Sequence, residues 1–323
     1  TNRTGDKPMR LRRIHHVCLR VADLDEAAGR WSIQFGLTLS KREPERVLLR
    51  CGYEPYSLEL IPGQPGVDHV AYELDRDWSL ETTVAFLDAH DVAFERTPDA
   101  IFLADVEKNR IELVPWAPRE QRYPDVALRT TELPAFRPRK LGHVNYLTAR
   151  LAEQVSFYTN ILGMRVTDYL GEEGVWLHIN ADHHVMALVN KGYAHIHHFA
   201  FELVDWGEIR VALDHLAQHG RWIAWGPLRH GLGRNLSAYV RIPEEECFVE
   251  IYCDMEQLEA DHQPRYWPDN AHSSNVWGIL PPRSYFRFDP IAVEWEREGK
   301  EALGYPLPPL GGSTIQSTGR TEA

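Results

Sequence analysis

The sequence predicts an α+β protein of two domains, each made of two βαβββ modules whose mixed sheets curl around a central cavity. Three observations carry this. A histidine-bearing strand followed by a helical stretch occurs twice, a second strand-and-helix unit occurs twice, and each second unit closes on a strand that holds a carboxylate.

The first unit begins Ile14-His15-His16-Val17-Cys18-Leu19 and continues at helical spacing from Asp23 to Leu37. It returns as Leu141-Gly142-His143-Val144-Asn145-Tyr146, then Leu151 to Met164. In this second copy Leu151, Val155, Tyr158, Ile161 and Leu162 fall on one helical face. Gly36 and Gly163 stand where a C-cap would lead into the next strand. The other unit, Val67-Asp68-His69-Val70-Ala71-Tyr72-Glu73-Leu74, resembles Ile196-His197-His198-Phe199-Ala200-Phe201-Glu202-Leu203. Helical stretches follow at Leu80 to His90 and Trp206 to His219, and the closing strands are Ile111-Glu112-Leu113 and Val249-Glu250-Ile251. The spacings agree: 127 residues from His16 to His143, 129 from His69 to His198 and 138 from Glu112 to Glu250.

The expected division is an N-terminal two-module domain over 1–132 without a complete active site and a C-terminal metal-binding domain over 138–255. An extension over 256–307 packs on the second domain, and a Pro-, Gly-, Ser- and Thr-bearing tail over 308–323 is expected to be disordered. Leu133 to Pro138, rich in proline, is the expected linker.

Composition bounds the function. The 323 residues suffice for two domains, and an apolar share of 43% permits a large core. A net charge of −12 argues against nucleic acid, which needs clustered Lys and Arg. No stretch approaches the roughly 20 apolar residues of a membrane span. Thr1 to Arg13 is polar and basic, unlike a secretory signal. Cys18, Cys51, Cys247 and Cys253 are scattered with no CxxC pair, which suggests buried free thiols and a reduced, cytoplasmic protein. The 16 histidines and 10 tryptophans hint at metal chemistry and aromatic pockets.

Strand alternation sharpens the metal reading. Side chains alternate between faces, so His143 and Asn145 share one face, and Glu250 opposes its apolar neighbours Val249 and Ile251. Two neutral imidazoles and one carboxylate, from His143, His198 and Glu250, form a facial triad that leaves three positions for a bidentate diol and O2. Zinc more often takes three histidines or a cysteine. Each residue alone is ordinary, since a histidine in an apolar strand is usually a satisfied core residue. Their coincidence at equivalent module positions is what counts.

Four runs in order, Leu141-Gly142-His143-Val144-Asn145, Ile196-His197-His198-Phe199, Leu228-Arg229-His230-Gly231 and Val249-Glu250-Ile251-Tyr252, resemble the type I extradiol dioxygenases of the vicinal oxygen chelate (glyoxalase-like) superfamily. The likeness is to the catechol 2,3-dioxygenase and homoprotocatechuate 2,3-dioxygenase branches and covers Pro138 to Asp254. It implies Fe(II), less often Mn(II), on His143, His198 and Glu250. It implies acid–base service by His184 beside the O2 site, a substrate-contacting pair His230 and Tyr239, and a supporting Asn145. It further implies O2 insertion into a catechol-type diol, a muconic semialdehyde-type product, and a homo-oligomer, dimer or tetramer. His183 has no assigned role.

Two departures stand out. His16, His69 and Glu112 persist in the first half, where most of the family has lost its ligands. Pro55, 14 residues before His69, matches the place of His184, so relics or buried hydrogen-bonding residues are expected there rather than a second metal. Trp225 and Ser274 stand where the homoprotocatechuate branch has carboxylate-binding arginines. That favours a neutral, apolar diol, walled by Trp176, Trp225, Trp277 and Tyr285. Three rivals remain. A glyoxalase-like isomerase usually has two carboxylate ligands. A hydroquinone- or trihydroxybenzene-cleaving relative would draw a ligand such as His16 from the other domain. A non-catalytic aromatic-binding protein would need no metal.

Overall fold

Each repeated unit folds as its pattern predicts. The computed structural model describes residues 8–52, 54–118 and 135–302. The first half supplies β1 (Leu11–Val21), α1 (Leu24–Phe35), β2 (Thr38–Glu43), β3 (Arg46–Arg50) and β4 (Leu58–Pro62). It continues with β5 (Gly66–Leu74), α2 (Leu80–Ala89), β6 (Phe94–Arg96), β7 (Ile101–Ala104) and β8 (Arg110–Val114). The second half repeats the order with β9 (Lys140–Thr148), α3 (Leu151–Asn160), β10 (Arg165–Leu170), β11 (Gly174–His178) and β12 (Met186–Asn190). It then runs through β13 (His195–Glu202), α4 (Trp206–Gln218), β14 (Ile223–Arg229), β15 (Leu236–Ile242) and β16 (Cys247–Cys253). Four βαβββ modules result.

Helix starts follow capping chemistry. Asp23 accepts from the Asp25 and Glu26 amides, Ser79 from Thr82 and Asp205 from Glu208. Each such cap satisfies an otherwise orphaned N–H and contributes about 1 kcal/mol. α1 ends on Gly36 in the left-handed region, φ 67°. α3 differs from expectation: it stops at Asn160, so Gly163, φ 67°, belongs to the turn into β10 rather than to a helix cap.

The strands form an eight-stranded sheet in the order β2-β3-β4-β1-β5-β8-β7-β6. The second sheet has nine strands, β14-β15-β16-β13-β9-β12-β11-β10-β17, where β17 (Arg265–Trp267) comes from the C-terminal extension. At the centre of each, the first strands of its two modules pair antiparallel, and each pairs parallel with the last strand of its own module. The two halves match residue by residue. Cys18 pairs with His69 and Asn145 with His198; Ala71 pairs with Glu112 and Ala200 with Glu250.

The halves are packed together rather than strung apart. One apolar cluster includes Trp31 of α1 and Phe199 of β13, whose rings lie 5.6 Å apart. Arg30 of α1 forms a buried ion pair with Glu245 beyond β15. Residues 135–138, the described part of the expected linker, are anchored: Phe136 is buried, and a Cβ on Gly36 would come within 2.1 Å of its carbonyl oxygen. Leu133, Pro134 and the expected disordered tail lie outside the described residues.

The extension packs on the second sheet, with two helices, α5 (Ala271–Ser274) and α6 (Pro290–Ala302). Arg241 of β15 bonds Glu296 of α6 at 2.7 Å. All four cysteines are buried and free. No helix among the described residues is long and apolar enough to cross a membrane.

Candidate metal centre and its cavity

Three central strands bring His143, His198 and Glu250 together. The Glu250 Oε2 lies 2.8 Å from His143 Nε2 and 3.1 Å from His198 Nε2. Donor atoms each about 2.1 Å from one ion, at near right angles, sit about 3 Å apart. The spacing therefore fits three adjacent ligands of a divalent cation. All three side chains are buried.

The surroundings set the tautomers. His197 Nε2–H donates to the Tyr285 carbonyl at 2.7 Å, so its Nδ1 accepts from His198 Nδ1–H at 2.8 Å. His198 Nε2 is thereby left as a lone pair facing Glu250, as a metal ligand requires. Burial pulls the His198 pKa down to about 4 against the opposing pull of Glu250, so the ring is neutral. Burial pushes the Glu250 carboxyl up, but His143 and His198 outweigh it and hold the group well below the usual range. Asn235 and Ser237 donate to its other oxygen, Oε1.

The triad opens onto a cavity of about 310 Å³. His184 reaches it with its ring 4.3 Å from that of His143. A relay that sequence reasoning missed lies behind it. Asp168 accepts from His183 Nε2–H at 2.9 Å, and His183 Nδ1 accepts from His184 Nδ1–H at 3.0 Å. His184 therefore keeps its Nε2 lone pair. Burial, then His143, drives its pKa well below 6.5. Asp168 is held in turn by Arg265 and Trp267 of β17. The visible signal was the His183-His184 pair, which parallels His197-His198.

The expected pair His230 and Tyr239 is joined. His230 Nδ1–H donates to the Ser274 carbonyl at 2.7 Å, so Nε2 accepts the Tyr239 hydroxyl at 2.8 Å. Burial, then Glu250, raises the Tyr239 pKa well above 10, which keeps the phenol protonated. Asn145 lines the cavity.

Trp176, Trp225 and Tyr285 line the cavity as expected, with Trp225 stacked on Tyr239 at 5.5 Å between ring centroids. Trp277 does not line it. It is half exposed and packs edge-on to Trp206, because the turn around Gly278 carries it to the surface. Ser274 lines the cavity too, and Lys191, the only cation among the lining residues, is engaged by Glu173.

His16 is not near the triad. It gathers with His69, Glu112 and an unforeseen Glu59 in the first sheet. The strand register also corrects the place of Pro55. Ser57 accepts from the Val17 amide as Val185 does from Val144, so Tyr56, not Pro55, occupies the position of His184.

Residues 140–246 match the model of the Glyoxalase/Bleomycin resistance protein/Dioxygenase superfamily. Metapyrocatechase 2 of Cupriavidus necator is 31% identical over 156 residues; the match covers 46% of this chain and 48% of that protein, about half of each. A manganese-dependent 2,3-dihydroxybiphenyl 1,2-dioxygenase of Geobacillus genomosp. 3 is 25% identical over 289 residues, covering 79% of this chain and 89% of the relative. The structure of the substrate complex of homoprotocatechuate 2,3-dioxygenase from Brevibacterium fuscum superimposes with a TM-score of 0.76 at 20% identity. It covers 88% of this chain and 95% of the other, and shows a shared fold.

Proposed function

We propose that this protein is an extradiol ring-cleaving dioxygenase that inserts both atoms of O2 into a catechol-type diol, giving a muconic semialdehyde-type product. The observation that carries it is a two-histidine, one-carboxylate triad facing a cavity that also receives a neutral imidazole and a protonated phenol. Fe(II), or Mn(II) as in the named Geobacillus relative, held by His143, His198 and Glu250, supplies Lewis acidity toward a diol hydroxyl and adjacent open positions for diol and O2.

The chain's own residues do the rest. His184 Nε2 accepts a proton from a diol hydroxyl and returns one to developing negative oxygen; such acid–base service is worth about 10²–10⁴-fold. The Asp168–His183 pair fixes the orientation of that nitrogen. Tyr239, whose proton points to His230, offers its oxygen lone pairs to a diol hydroxyl. Trp225, Trp176 and Tyr285 hold the ring and exclude water.

Trp225 and Ser274 offer no bidentate partner for a substrate carboxylate, and Lys191 is already paired. The reading is therefore a neutral, apolar catechol. Four buried thiols fit a reduced, cytoplasmic setting, and we expect a homo-oligomer, dimer or tetramer, which light scattering would size. The test is oxygen uptake and product absorbance across a panel of catechols, hydroquinones and trihydroxybenzenes with Fe(II)- and Mn(II)-loaded enzyme. Turnover of an apolar catechol is expected, and Glu250→Ala should abolish it together with metal binding at the triad. A metal-loaded, folded enzyme that consumes no O2 with any catechol would overturn the reading.

A further inference from the structure

The first half holds four convergent ligands where the second holds three. His16 Nε2 lies 3.0 Å from Glu59 Oε2 and 3.2 Å from Glu112 Oε2, and His69 Nε2 lies 3.1 Å from the same Glu112 oxygen. One donor atom from each residue lies within 4.8 Å of every other. His16 is fully buried, yet its Nε2 has no hydrogen-bond partner of acceptable geometry despite two carboxylate oxygens near 3 Å. His16 Nε2 thus sits near two carboxylate oxygens without hydrogen-bond geometry to either.

The supporting contacts have the same sense. His69 Nδ1–H donates to Asp68 Oδ2 at 2.7 Å, so in the neutral ring Nε2 is left for a metal ion; a carboxylate behind a histidine is the usual support of a metal ligand. Asp68 is held by Arg20 and Arg110. His15 and His16 meet Nδ1 to Nδ1 at 2.9 Å, as His197 and His198 do at 2.8 Å. Arg46 pairs with the other oxygen of Glu59.

We propose that the first half binds a second divalent transition-metal ion through His16, Glu59, His69 and Glu112, in a site whose protein ligands close it to substrate. Two imidazoles and two carboxylates suit such an ion, and four protein ligands characterise structural rather than catalytic centres. With a dication the cluster is neutral, so its burial carries little electrostatic cost. Strand register shows why the site is closed. Glu59 pairs with Cys18, and its counterpart Ala187 pairs with Asn145. The fourth ligand in the first half is thus a methyl group in the second. Tyr56, its ring 4.7 Å from His16, and Phe102, 5.5 Å from His69, cover the cluster.

The test is metal analysis of the full chain after equilibration with a single metal and removal of loosely held ions. A ratio near two ions per chain is expected for the unaltered protein, falling to about one in the double variant Glu59→Gln/Glu112→Gln with ring cleavage retained. The Glu250→Ala variant should keep about one ion with no turnover. Should the double variant not fold, Co(II) titration of Glu250→Ala decides. A saturable d–d absorption lost on adding His69→Ala supports the site. A folded Glu250→Ala chain that gives no such absorption, or an unaltered chain that holds about one ion and loses it on Glu250→Ala, overturns it. Neither readout depends on which diol the enzyme cleaves.

Discussion

The two ligand clusters are built on the same strand register, and three of their differences bear on chemistry. Glu59, Tyr56 and Phe102 of the first half face Ala187, His184 and Tyr239 of the second. In the second half these exchanges remove a ligand, put an imidazole where the first half has a phenol, and put a phenol where it has a plain aromatic ring. The charges differ as well. Two imidazoles and two carboxylates around a dication sum to zero, whereas the triad leaves one positive charge. An anionic diolate would neutralise that charge, so under the proposed function the open positions and the residual charge together would favour such a ligand. On the two proposals together, catalytic competence would come from losing a ligand as much as from gaining an acid–base group.

The comparison can be broken directly. Ala187→Glu should rebuild the fourth ligand in the second half; we expect ring cleavage to fall to background while metal content holds, measured by oxygen uptake and metal analysis. His184→Phe gives the second half an aromatic ring with no proton site at that position. It should bind diol with metal content unchanged but lower kcat by about 10²–10⁴-fold. Asp168→Asn keeps the shape that holds Arg265 and Trp267 but weakens the orientation of His183 and His184. A loss in kcat of about 10–100-fold is expected, with a displaced pH–rate profile and little change in KM. Asp68→Asn should lower metal affinity in the first half by about 10–100-fold and leave ring cleavage unchanged, which competition with a chelator and oxygen uptake would separate.

Much of this was legible in the sequence. The two repeated units placed the four modules, and the spacing between His16 and His143, His69 and His198, Glu112 and Glu250 placed the central strands. Glu59 escaped because its counterpart is an alanine, so no repeat drew attention to it. Pro55 was misjudged because a fixed offset from His69 ignores the one-residue difference between the loops that follow β4 and β12. The Asp168–His183 support was invisible because it joins β10 to the turn before β12 and depends on β17 for its geometry. Trp277 failed for a simpler reason: aromatic composition says nothing about which way a turn faces.

The burial of Cys18, Cys51, Cys247 and Cys253 bears on the proposed O2 chemistry. Burial drives the Cys51 and Cys247 thiols well above 9 and the Cys253 thiol up to about 12, so thiolate is scarce at neutral pH. Thiolate is the form that attacks peroxide, breaking its O–O bond on the way to sulfenic acid. If the chain turns over O2 as proposed, its thiols would be poor targets for reactive oxygen that escapes an unproductive cycle.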